Sequence, residues 1–149
     1  MKKHLWTILL IIWISFIFLN SFQTGAQSSQ ASGIFTNFFT NLFLKIGWSV
    51  NQETLSMLIR KGAHMFEFFV LALLFCLQYF RKHPLQKTLE KALISSIVVA
   101  VVDELIQLSV PGRVGTIIDV AIDNVGIVFA LVLFWLIVRH KQKKSANSS

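Results

Sequence analysis

Four apolar runs take up most of this sequence, and they leave few folds open. They lie at about residues 5–22, 62–80, 89–110 and 116–138. A bilayer core needs roughly 20 apolar residues per helical crossing. Within that core every backbone N–H and C=O must be satisfied inside the segment, so an apolar run that crosses does so as a helix. The expected fold is therefore all-α: a polytopic membrane bundle of four transmembrane helices, in one domain over residues 1–149. Charged residues make up 14% of the chain, against about 25% in a soluble domain. The net charge of +7 is parcelled between the runs. That arrangement fits a topology signal and anionic-lipid contact, not a nucleic-acid partner. Cys76 is the single cysteine and lies in an apolar run, so it reads as a small buried hydrophobe.

Lys2 and Lys3 precede the first run, which carries Trp6 and Trp13. It reads as a retained helix ending near Phe22; the alternative is a signal peptide cut near Thr24-Gly25-Ala26. The stretch from Asn20 to Gly33 is small, polar and almost uncharged, and is expected to be irregular. After it Ile34, Phe35, Phe38, Phe39, Leu42, Phe43 and Ile46 recur at helical spacing, with Thr36, Asn37, Thr40, Asn41 and Lys45 between them. This is an amphipathic helix in the first outer loop, either lying in the interface with Trp48 as anchor or packed on the bundle. Asn51 suits the N-cap of the second long helix, Pro111-Gly112 a turn after the third. Ser145 to Ser149 are expected to be disordered. With the N-terminus inside, ten Lys and Arg residues fall on the cytoplasmic side and four (Lys45, Arg60, Lys61 and Arg113) on the other. Both termini are accordingly expected in the cytoplasm.

Five of the seven acidic residues, Glu67, Asp103, Glu104, Asp119 and Asp123, fall within the runs. Each charge at a helix centre costs on the order of 3 kcal/mol to insert. Intramembrane ionisable residues face inward and mark functional sites by default. Their depths agree. Glu67 lies roughly 10 Å beyond Arg60, Asp103 roughly 12 Å before Pro111, and Asp123 roughly 10 Å beyond Thr116, all from one surface. Their faces agree as well. Arg60, His64 and Glu67 follow i, i+4, i+7 spacing; Asp103, Glu104 and Gln107 share a face about 100° wide; Asp119 and Asp123 are stacked at i, i+4. Gly62 and Gly126 suit close helix approach, and Arg113 sits in the tight turn above the cluster. Five carboxylates against Arg60, Lys61 and Arg113 leave a deficit that protonation, a charged His64 or a cation would balance. Protonation is the favoured of the three. His64-x-x-Glu67 alone is a weak metal signal, and no metal or cofactor is expected.

The text at these positions resembles the VanZ-like family of bacterial membrane proteins. It is carried by Arg60-Lys61-x-x-His64-x-x-Glu67-Phe68, Asp103-Glu104-x-x-Gln107, Pro111-Gly112-Arg113 and Asp119-Val120-x-x-Asp123-Asn124-x-Gly126. Ser21-x-Gln23 and Ser28-Ser29-x-x-Ser32 resemble the family's first outer loop. Asn124 stands where the family often has Thr. The resemblance implies a multi-pass protein of the bacterial cytoplasmic membrane with a role in the cell envelope. It also brings teicoplanin resistance, a form of antibiotic resistance, as a role to be tested.

Several functions compete. A binding module would hold a lipid headgroup, a lipid-linked wall precursor or a lipophilic glycopeptide. Arg60, Lys61 and Arg113 would take its phosphate, and His64, Glu67, Asp103, Glu104, Gln107, Asp119 and Asp123 would complete the site. An enzyme acting on a lipid phosphate or ester would use His64 or Glu67 as base and the Asp103/Glu104 pair as acid partner. A proton-coupled carrier would use the carboxylates as a relay and, with four spans per chain, would call for a homodimer. A purely structural ion network is the fourth alternative.

Overall fold

The computed structural model describes residues 4–113 and 117–146. Lys2 and Lys3, Thr116 at the expected start of the last run, and residues 147–149 of the expected tail lie outside the described residues. The described chain is all-α, with five helices: α1 (Leu5–Ser21), α2 (Gly25–Lys45), α3 (Gln52–Tyr79), α4 (Leu85–Leu108) and α5 (Ile117–Ala146). The last helix carries on through Ser145, so the expected disorder from that residue is corrected.

Local chemistry sets most of the boundaries. Asn51 accepts hydrogen bonds at its side chain from the N–H groups of Glu53 and Thr54, at 2.9 and 3.1 Å, and opens α3. Pro84, extended and without an N–H to lose, stands at the N-cap of α4. After α4 the chain turns through Pro111 and Gly112, whose φ of +77° is a left-handed conformation suited to glycine. The stretch from Asn20 to Gly33 is not irregular. Thr24 and Gln27 form a capping box, the Thr24 hydroxyl accepting from the Gln27 N–H at 3.3 Å and the Gln27 side-chain Oε1 accepting from the Thr24 N–H at 2.9 Å. With its exposed N–H groups satisfied in this way, helix α2 begins at Gly25.

Helix α3 is central and packs against each of the other four. One apolar core gathers Leu10 and Ile17 of α1, Phe68, Leu71 and Ala72 of α3, Ala100 of α4, and Ile127 and Ala130 of α5. A second core, towards the other end, joins Cys76, Ala92, Phe134 and Val138. Small residues bring the helices together. A Cβ on Gly126 would stand 2.1 Å from the Met65 carbonyl oxygen, so α3 and α5 are in backbone contact there. The same does not hold at Gly62, where a Cβ would meet nothing within 4 Å. The expectation of close packing at Gly62 is thus corrected.

The outside of the bundle is apolar. Ile8, Ile11 and Leu19 of α1, and Phe129, Val132 and Leu136 of α5, are all exposed. Lipid, not water, suits such a surface. Helices α3 and α5 are long and apolar enough to cross a membrane, and α1 with α2 gives a third candidate if the pair is one span bent by 109°. The expected amphipathic helix is present as the second half of α2, with an orientation of its own. Ser32, Thr36 and Thr40 are buried, whereas Ile34, Phe35, Phe38 and Leu42 are exposed. Ser32 and Ser56 share a hydroxyl hydrogen bond of 3.0 Å that ties α2 to α3.

Candidate functional site

At the end of the bundle where α1 meets α2 and α4 turns into α5, the helices enclose a cavity of about 450 Å³. The spacing along α3 puts Arg60, Lys61 and His64 on its wall, and the stacking along α5 puts Asp119 and Asp123 opposite them. Gln107 of α4 and Arg113 of the turn complete the polar lining, with Gly25 and Ser28 of α2 beside them. Met57, Ile118 and Ile122 give the cavity an apolar side. Seven of the ten residues expected in the site therefore face one space.

Two of the remaining three lie one layer deeper, in a hydrogen-bonded chain. Asp103 is fully buried. Its carboxylate accepts from the Ser21 hydroxyl and, at 2.7 Å, from the Gln107 side-chain amide. The Gln107 amide oxygen in turn accepts from Arg113 Nη1 at 2.8 Å. Arg113 also donates from Nε to the Gln23 carbonyl at 3.0 Å, and from Nη2 to the Asn20 carbonyl at 3.4 Å. Glu67 accepts from the Asn20 side-chain amide at 2.9 Å through Oε1. Its backbone carbonyl accepts from the Trp13 indole at 3.0 Å. The third residue, Glu104, is buried on α4 and does not line the cavity.

Two charge pairs form at the site. Glu67 Oε2 stands 3.4 Å from His64 Nδ1, and Lys61 Nζ is 2.8 Å from Asp119 Oδ1. Arg60, which shares the Glu67 stripe, forms neither an ion pair nor a hydrogen bond among the described residues. The nearest fixed partners of Arg113 are neutral oxygens. Burial lowers the pKa of its guanidinium, Asp103 opposes this, and the neighbouring Arg60 charge lowers it further. A guanidinium stays protonated all the same. Two arginine cations thus bear on one cavity, and among the described residues no carboxylate is bonded to either, although Asp119 and Asp123 line the same cavity.

Sequence reasoning missed the contribution of α1. Trp13, Asn20 and Ser21 hold Glu67 and Asp103 in place, yet they are ordinary polar or aromatic residues at the end of an apolar run. Their one signal was Ser21-x-Gln23 in the resemblance above. Among the described residues, no group of three or more His, Cys, Asp or Glu side chains is disposed to hold a metal ion. The chain is matched by the family described as VanZ/LLP1 over residues 6–138. No curated protein and no solved structure matches it.

Proposed function

The chain belongs to the VanZ/LLP1 family of membrane proteins, and from that premise we propose that it binds a phosphate-bearing lipid headgroup in the leaflet away from the cytoplasm. The ligand would be a membrane lipid or a lipid-linked envelope precursor. The observation that carries this reading is the pair Arg60 and Arg113 on one cavity, with no carboxylate bonded to either among the described residues. A volume of about 450 Å³ falls within the usual range for small-molecule sites. Met57 and Ile118 on the apolar side are exposed and would meet the first part of the lipid chain. A lipophilic glycopeptide would use the same cations through its carboxylate, which is how a role in teicoplanin resistance would arise.

The topology proposed with it has α1, α3, α4 and α5 as four spans, both termini in the cytoplasm, and α2 along the outer face. Helix α1 is retained in this reading, because it supplies Asn20 and Ser21 to the buried chain. Asp103 and Glu104 do not argue against a span, since both are buried in the bundle, and Lys87, Glu90 and Lys91 lie in the first two turns of α4, at the start of its apolar run.

Inorganic diphosphate tests the anion site without the complication of a lipid chain. Ligand at a hundred times its Kd stabilises a protein by about 2.7 kcal/mol. The thermal midpoint of the detergent-solubilised protein should rise with diphosphate and should not rise in Arg60→Met. Equal shifts in the two proteins would refute the assignment.

A further inference from the structure

We infer that the cavity is catalytic: His64 is the general base for hydrolysis of a lipid-anchored diphosphate, and Glu67 positions it. This rests on the phosphate-binding reading above and goes beyond it. The geometry singles out one imidazole nitrogen. His64 Nδ1 is buried and faces Glu67 Oε2 at 3.4 Å, and the ring forms part of the cavity wall. Nε2 is therefore the nitrogen presented to a ligand. Glu67 is itself held from α1 through Oε1, by the Asn20 amide at 2.9 Å, so its other oxygen is left pointing at His64. Base and orienting carboxylate at such a separation, longer than a good hydrogen bond, are common in sites without substrate and tighten when it binds. The order carboxylate, imidazole, open space, arginines follows the general logic of an activated water beside an anion clamp.

Of the other acids, Asp103 and Glu104 lie outside the cavity wall, and Asp119 is paired with Lys61. Asp123 lines the cavity with His64, but among the described residues no second carboxylate is bonded to it to orient it as Glu67 orients His64. A leaving group that is stable as an anion departs without a donated proton. A diphosphate supplies such a group, and two separate guanidiniums match its two phosphoryl groups. In the proposed step His64 Nε2 takes a proton from water as the water oxygen bonds to the terminal phosphorus. The bond from that phosphorus to the bridging oxygen breaks. The bridging oxygen leaves on the lipid monophosphate, its charge met by Arg60 and Arg113. Inorganic phosphate is released, and the imidazolium returns its proton to solvent. No oxidant or further reactant is needed.

The test uses the full chain in phosphatidylcholine vesicles that contain a polyprenyl diphosphate, in water enriched in oxygen-18. Wild type should release inorganic phosphate carrying one labelled oxygen. His64→Gln should bind the polyprenyl diphosphate as wild type does yet turn it over about 10²- to 10⁴-fold more slowly, the range for loss of a general base. Glu67→Gln, which keeps an acceptor for Asn20, should lower turnover with apparent affinity unchanged. It carries the same test should the His64 variant fail to fold. Binding by wild type without phosphate release would overturn the catalytic inference and leave the binding site standing. Equal turnover in wild type and the His64 or Glu67 variant would also overturn it. No binding by wild type would overturn both readings.

Discussion

Arg60 and Gly126 show what can and cannot be read from a residue alone. Ionisable residues in apolar runs are costly, so Arg60, His64, Glu67, Asp103 and Asp123 stand out in the sequence, and all lie on the cavity or directly behind it. The pairing between them is not legible. Arg60 and Glu67 share a stripe, yet Glu67 faces His64 and Asn20, because α1 reaches it from a distant part of the chain. Glycines are equally mute, since Gly62 and Gly126 both lie within helices beside the charged stripes and have opposite surroundings. Adding a methyl group where the Met65 carbonyl stands 2.1 Å from the ideal Cβ should force the backbones apart. Gly126→Ala is expected to destabilise the protein by about 1–3 kcal/mol, as overpacking does. Gly62→Ala should be neutral or gain up to about 1 kcal/mol from helix propensity. Thermal unfolding of the two variants in one detergent checks this, and equal stabilities would show that α3 and α5 do not touch at Gly126.

At the scale of elements, the helical runs were legible because their length and hydropathy admit little else. Helix α2 was legible only in its second half. Residues 25–33 are rich in Gly, Ser and Gln, which are weak evidence for a helix, and the Thr24-x-x-Gln27 capping box that starts it went unread. The orientation of α2 inverts the soluble-protein rule. Lipid surroundings, as proposed, would favour hydroxyls turned inward. Ser32 meets Ser56 at 3.0 Å, and Thr36 donates to the Ser32 carbonyl at 2.9 Å, while the phenyl rings face out. A nitroxide on Phe38→Cys, in a Cys76→Ala background, should be relaxed by oxygen dissolved in the bilayer, and one on Thr36→Cys should not. The reverse pattern would mean that α2 presents its hydroxyl face to the surroundings.

At the scale of the whole molecule, the apolar exterior and the polar cluster at one end fit the proposed bundle, which would meet its ligand from the outer leaflet. Two exposed positions report its orientation, Ser29 on α2 and Lys87 on α4. In intact cells an impermeant thiol reagent should label Ser29→Cys and leave Lys87→Cys unlabelled, each in the Cys76→Ala background; labelling at Lys87 alone would invert the topology. The central claim is that Arg60 and Arg113 hold a phosphate-bearing lipid. It is tested most directly by mass spectrometry of the lipids that co-purify with wild type and with Arg113→Ala. A phosphate-bearing lipid enriched on the wild type and lost from the folded variant is the predicted result. Identical lipid complements on the two proteins would contradict it.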